Sequence, residues 1–139
     1  MTAPVKHALT FLCAPLLAVG VAACGNTVST TAFKGESHAV AQAISQLQSD
    51  ATAGDEQKIC ANDLSSAVVT RLGTAKGGCK EVLKSQLAEI DNFEATVGAI
   101  QVNGSTAIAT VKSIYAGKNR IGKVTLVKEG GKWKLSGQS

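Results

Sequence analysis

The 139-residue sequence predicts an α+β domain, with three helices packed on one face of a four-stranded antiparallel sheet that follows them in the chain. Three observations predict it. Apolar residues recur with a period near 3.6 as far as residue 91, and with a period of 2 from residue 95 onward. Gly54 and Gly73 stand where two of the helical stretches should stop. The second half is cut by three turn signals, Asn103-Gly104, Ala116-Gly117-Lys118-Asn119 and Glu129-Gly130-Gly131.

The first helix is expected over residues 37–53. Val40, Ala43, Ile44, Leu47 and Ala51 form its apolar stripe, with Gln42, Gln46 and Asp50 off it. The second covers residues 56–72 and has a break point near Asn62. Asn62 or Asp63 can cap the later piece, where Leu64, Ala67, Val68 and Leu72 share a face. After a loop at residues 74–78, the third helix runs over residues 78–91, with Cys79, Val82, Leu83, Leu87 and Ile90 on one side. Strands are expected at residues 95–102, 106–115, 121–128 and 132–137. In the second strand Thr106, Ile108, Thr110, Lys112 and Ile114 share one side of the pleat. No connection exceeds the usual length.

A flat four-stranded sheet would leave its ends exposed. Curled around the helices it becomes a cone with an apolar interior. Val40, Ile44, Leu83, Leu87, Phe93, Ile108, Tyr115, Leu126 and Trp133 are the candidate pocket lining. Such a lining suits an apolar ligand and offers little acid or base.

Residues 1–23 stand outside this domain. Lys6 makes a short positive start, and residues 8–21 are apolar, with Pro15 inside them. Ala22 and Ala23 are small, and Cys24 follows. That order is the plan of a secretory signal peptide. The apolar run falls short of the roughly 20 residues a membrane span needs. The core Val21-Ala22-Ala23-Cys24 resembles a bacterial lipobox, with Val21 where leucine is more usual. The resemblance implies a diacylglyceryl group on the Cys24 sulfur and removal of the peptide before it. Ordinary signal cleavage after Ala23 is the competing reading. Two acyl chains on one residue hold a protein stably, at about 0.8 kcal/mol per buried CH₂. The expected location is therefore the extracytoplasmic face of the cell membrane, with residues 24–36 as a Ser/Thr-rich tether and residues 37–139 as the domain.

Cysteine use agrees. Cys13 would leave with the signal and Cys24 would take lipid. Cys60 and Cys79 remain, an even pair in an oxidising compartment, and are expected to be bonded. Two buried free thiols are the alternative. No metal or other cofactor is expected: the cysteine spacing is wrong for metal, and His38 is the only histidine left after residue 23. Removal of the first 23 residues takes away only Lys6 among the charges and leaves a net +3. Lys80, Lys84, Lys112, Lys118, Arg120 and Lys123 are scattered, so they read as a solvated surface and exclude a nucleic-acid role.

Three features carry a wider resemblance. They are Cys60 and Cys79 around an amphipathic helix, the Val102-Asn103-Gly104-Ser105-Thr106-Ala107 hairpin, and the ending from Val124 through Glu129-Gly130-Gly131 and Trp133 to Leu135. Over residues 37–139 the chain resembles the NTF2-like superfamily, a cystatin-like cone. More narrowly it is similar to small actinobacterial exported proteins with an NTF2-like or lumazine-binding-like domain of unknown function. That superfamily hosts both enzymes and binding modules. Its isomerases and dehydratases place Asp, His and Tyr inside the cone. Here Asp55, Asp63 and Asp91 sit at expected helix ends, His38 near the tether and Tyr115 at a strand end. The leading expectation is thus a non-catalytic module for a small apolar ligand or an envelope protein. An isomerase or dehydratase, which needs an acid inside the cone, and a cystatin-like inhibitor are the alternatives. Monomer and dimer both fit the sequence.

Overall fold

The computed structural model describes residues 28–89, 94–115 and 117–139, without the side chain of Tyr115. Four helices, α1 Gly35–Ala53, α2 Glu56–Lys58, α3 Ser66–Gly73 and α4 Gly78–Leu87, precede four strands. The strands are β1 Glu94–Asn103, β2 Thr106–Tyr115, β3 Lys118–Glu129 and β4 Lys132–Gln138, antiparallel in the order β1-β2-β3-β4.

One more helix appears than the sequence predicts because the second is interrupted. After α2 the backbone widens into a π-turn, Ile59–Asp63, closed by the Leu64 amide on the Ile59 carbonyl at 3.1 Å. This five-residue step accommodates an extra residue and turns Asp63 inward. The chain then runs extended through Leu64 and Ser65. Ser65, not Asn62 or Asp63, caps α3: its hydroxyl accepts the Val68 amide at 3.4 Å. Glu129, from the β3–β4 turn, completes that cap by accepting the Ser66 amide and hydroxyl.

Gly54 ends α1 as expected. At φ 66° it is left-handed, and its amide and that of Asp55 satisfy carbonyls of the last turn. The Asn103-Gly104 hairpin also forms, but one residue later than the signal implies. Asn103 pairs with Thr106, so the two-residue loop is Gly104-Ser105.

Both edge strands carry an irregularity, at Val97/Ala99 in β1 and opposite Thr125/Leu126 in β4. Such offsets bend a strand and deepen its twist, which curls this sheet around α1. Val40 and Ile44 of α1 meet Ala95, Val97, Ala107, Ala109, Val111, Leu126 and Trp133 there. A second cluster, Ile59, Leu64, Val68 and Cys79, lies under α2–α4. The Cys60–Cys79 disulfide staples the π-turn to α4 beside it, with Cα atoms 6.2 Å apart. Leu64 bridges to Leu135, and the Ser65 amide bonds the Leu135 carbonyl at 2.8 Å, which covers part of the β4 edge.

Candidate functional site

The expected pocket lining does not assemble as one surface. Val40, Ile44, Leu126 and Trp133 are buried together in the first cluster. Leu83 and Leu87 pack instead on the second cluster, with Cys79. Ile108 points away from both. It is 41% exposed on the outer face of the sheet, because its neighbours Ala107 and Ala109 take the inward positions. Side chains converge on the concave side of a curved sheet, so small residues fit where isoleucine does not. Phe93, the Tyr115 side chain and Cys24 lie outside the described residues, as do Ile90 and Asp91.

The feature that sequence reasoning missed is a pair of buried carboxyls. Asp50 on α1 and Asp63 at the end of the π-turn are 4% and 7% exposed. Their side chains are hydrogen-bonded to each other. Gln46 donates its Nε2 to Asp50 Oδ2 at 2.9 Å. Asp63 Oδ2 is buried without a hydrogen-bonding partner in the protein. Burial pushes the Asp63 carboxyl up to about 7. The negative charge of Asp50 and its hydrogen bond add to this, and Lys134 opposes it. Lys134 is held near by its own bond to the Ala61 carbonyl at 3.3 Å. Near neutral pH the pair therefore holds a proton that an ordinary aspartate would have lost.

Asp50 looks solvent-facing in the sequence because it falls off the α1 stripe. The signal against that reading was the turn at Gly54, which sends the chain back along α1. The C-terminal half of α1 is then covered on two sides, by the sheet and by the π-turn.

Asp63 borders an open cavity of about 740 Å³. One wall is the polar side of α1, with Gln42, Ser45, Gln46 and Ser49 beside Ala39 and Ala43. The end of the π-turn gives Asn62 and Asp63, the β3–β4 hairpin gives Gly131, Lys132 and Trp133, and Thr30 closes the rim. The volume is within the range of small-molecule sites, about 300–1,000 Å³. The lining combines amides and hydroxyls with apolar surface in comparable share.

Two clips hold the walls. Glu36 at the start of α1 accepts from Lys128 Nζ at 2.7 Å and from Trp133 Nε1 at 2.8 Å. These two bonds, with that of Lys128 first, hold the Glu36 carboxyl below the usual range. Lys128 Nζ also lies 5.7 Å from the Trp133 ring centroid. On the rim, the His38 Nδ1 donates to the Thr30 carbonyl at 2.9 Å. Val28 is only 4% exposed and joins the first cluster, and Phe33 packs against it. The described part of the expected tether is therefore docked on the domain.

Among the described residues, no three His, Cys, Asp or Glu side chains come together as a metal site. Nor is any described helix long and apolar enough to cross a membrane.

A curled antiparallel sheet wrapped on a long N-terminal helix, with shorter helices closing one end, is the NTF2-like fold. Solved structures agree. An NTF-2 like protein of unknown function from Silicibacter pomeroyi aligns with a TM-score of 0.53 at 14% identity, over 78% of this chain and 95% of that one. Rd1NTF2_05 in a substituted form gives 0.52 at 15%, over 76% and 98%. A SEC-C motif containing protein from Rhodopseudomonas palustris gives 0.57 at 14%, over 70% and 74%. At these identities the likeness is one of fold. Residues 22–136 match the family described as a domain of unknown function, DUF4878, and the chain belongs to that family. No curated protein matches it in sequence.

Proposed function

We propose that this chain is an exported, lipid-anchored binding module of the cell envelope. Its site is the groove between α1, the π-turn and the β3–β4 hairpin. The observation that carries the binding role is the open cavity of about 740 Å³ between these three elements. The order Val21-Ala22-Ala23-Cys24 after an apolar run supports the anchor. The Cys60–Cys79 disulfide supports export, since such bonds persist in oxidising compartments. The mixed lining suits a small molecule with an apolar body and a few polar groups.

Intact mass analysis of the protein taken from its native membrane, with and without reductant, tests this reading. The expected product begins at Cys24, carries acyl mass and gains two protons on reduction. A product beginning at Cys24 with no added lipid defeats the anchor. Native mass spectrometry of the same material is expected to show a co-purified small molecule that is lost when Gln42 and Asn62 are replaced by alanine.

The Asp50–Asp63 pair favours a second reading, an isomerase or dehydratase with Asp63 as general acid or base. A proton held near neutrality is what such a step uses. That reading requires Asp63→Asn to abolish turnover of a carbonyl substrate while leaving its binding intact.

A further inference from the structure

Two carboxyls in contact inside a protein are joined by a proton. Asp50 and Asp63 are 4% and 7% exposed and bonded side chain to side chain. A carboxylate has no hydrogen to donate, so one of the two is a carboxylic acid. Its proton ties the second half of α1 to the end of the π-turn. The tie lies behind a seam between two walls of the groove. Gln46, which donates to Asp50, lines the groove from α1, and Asn62 and Asp63 line it from the π-turn.

Asp63 sits in a short span pinned at both ends. Before it, Ile59 is buried and Cys60 is bonded to Cys79 on α4. After it, Leu64 bridges to Leu135 and the Ser65 amide bonds the Leu135 carbonyl. Residues 61–63 lie between these pins, and Ala61 and Asn62 are exposed. On the other side of the seam, α1 is fixed to the sheet through Val40 and Ile44. Charges face the pair from two more elements. Lys134 of β4, bonded to the Ala61 carbonyl, attracts a charge on Asp63. Asp55, ahead of α2, repels it, and Lys58 of α2 is exposed and paired with Asp55.

We propose that the shared proton is a latch on the groove wall. While it is present, Asp63 stays folded against Asp50 and the seam is closed. When it passes to solvent, two carboxylates are left in one buried place, where neither has water to screen it. Asp63 then turns out toward Lys134 and the groove. Residues 61–63 move with it, while α1 and both pins hold. The opened wall carries a carboxylate where the closed wall is neutral. The bearing of this latch on a ligand rests on the groove being a binding site, but the latch itself is read without one.

The test follows the full processed, disulfide-intact protein by NMR from pH 4 to pH 8. The carboxyl carbon shift of Asp63 reports the proton. A neutral paramagnetic chelate in solution reports opening, through the relaxation it adds at the amides of residues 61–63 and at the Gln46 side chain. Both are expected to change together, with one midpoint at or just below about pH 7, while the amides of Ala107, Ala109 and Val111 in the sheet stay constant. In Asp63→Asn and in Asp50→Asn an amide donates the hydrogen that the proton supplied, so the added relaxation is expected to stay at its low-pH level throughout. Lys134→Gln removes the cation that receives the open form and is expected to move the midpoint up. An Asp63 carbon that titrates without added relaxation at residues 61–63 overturns the latch and leaves an acid that ionises in place. Titration near the ordinary 3.8 overturns it as well, as does a rise in relaxation that persists in Asp63→Asn. A rise shared by the sheet amides marks unfolding of the whole domain and overturns it too. The co-purified molecule sought above can be absent while the latch holds, or present while it fails, so the two readings are decided separately.

Discussion

Replacing Asp63 by asparagine should make the protein more stable, and only on the alkaline side of its range. The carboxyl is 7% exposed and sits against Asp50, so its pKa is about 7 in the fold and near 3.8 in the unfolded chain. Three units at 1.36 kcal/mol each amount to about 4 kcal/mol. The sign follows from proton counting. Between pH 4 and 7 the folded protein keeps a proton that the unfolded chain has released, so stability falls by about 1.4 kcal/mol per pH unit. The protonated pair is fully stabilised below about pH 4, and that advantage is gone above pH 7. An amide has no proton to lose. The gap between Asp63→Asn and the parent should therefore move by about 4 kcal/mol in favour of the variant from pH 4 to pH 8. Glu36 and Asp55, whose carboxyls are held low, give slopes of the opposite sign, but both proteins share them. Guanidinium unfolding of the disulfide-intact proteins, followed by the fluorescence of Trp133, the sole tryptophan, measures the gap. A gap constant to within ~1 kcal/mol across that window would refute the buried pair as described.

Three further outcomes follow from the packing. Replacing Cys60 and Cys79 by serine opens a loop of 19 residues' separation and should cost about 3 kcal/mol, with faster hydrogen exchange at residues 59–63. Gly77→Ala should cost more than Gly54→Ala in thermal unfolding. Both glycines are left-handed, at a penalty of about 1–2 kcal/mol for alanine, but only at Gly77 would the new Cβ come within 2.6 Å of the Glu81 side chain. Val28→Ser should expose residues 28–34 to limited proteolysis and cost about 1.5–3 kcal/mol, whereas a free tether would show neither effect.

Local signals in the sequence were reliable where one glycine or one hairpin decides the backbone. Gly54 stops α1, and the turns after β1, β2 and β3 lie at or within a residue of their signals. Signals failed where the answer depended on what lies across from a residue. In β2 both faces carry apolar side chains, and size misled: the larger Ile108 and Ile114 face out while the alanines fill the concave side. Asp63 looked like a cap because Asp is a favoured N-cap residue ahead of an apolar helical stretch. Its burial depends on α1 lying opposite, which no local pattern encodes. Val28 looked like tether because a single valine among Ser and Thr has no periodicity to mark it. The groove combined both problems, since its walls come from residues 30 to 133 and its polar residues each resemble ordinary surface.

The docking of Val28 sets a length scale. From Cys24 to Val28 the chain can extend at most about 14 Å, at 3.3–3.6 Å per residue. A domain of this size has a radius of gyration near 13 Å, so its diameter exceeds that reach. With Cys24 acylated, such a leash is too short for the domain to turn over. The hemisphere that contains Val28 would then stay toward the bilayer, and with it Thr30 at the rim of the groove. Encounter with a surface-bound ligand then becomes a search in two dimensions at high effective concentration, so weak contacts in the groove would suffice for occupancy.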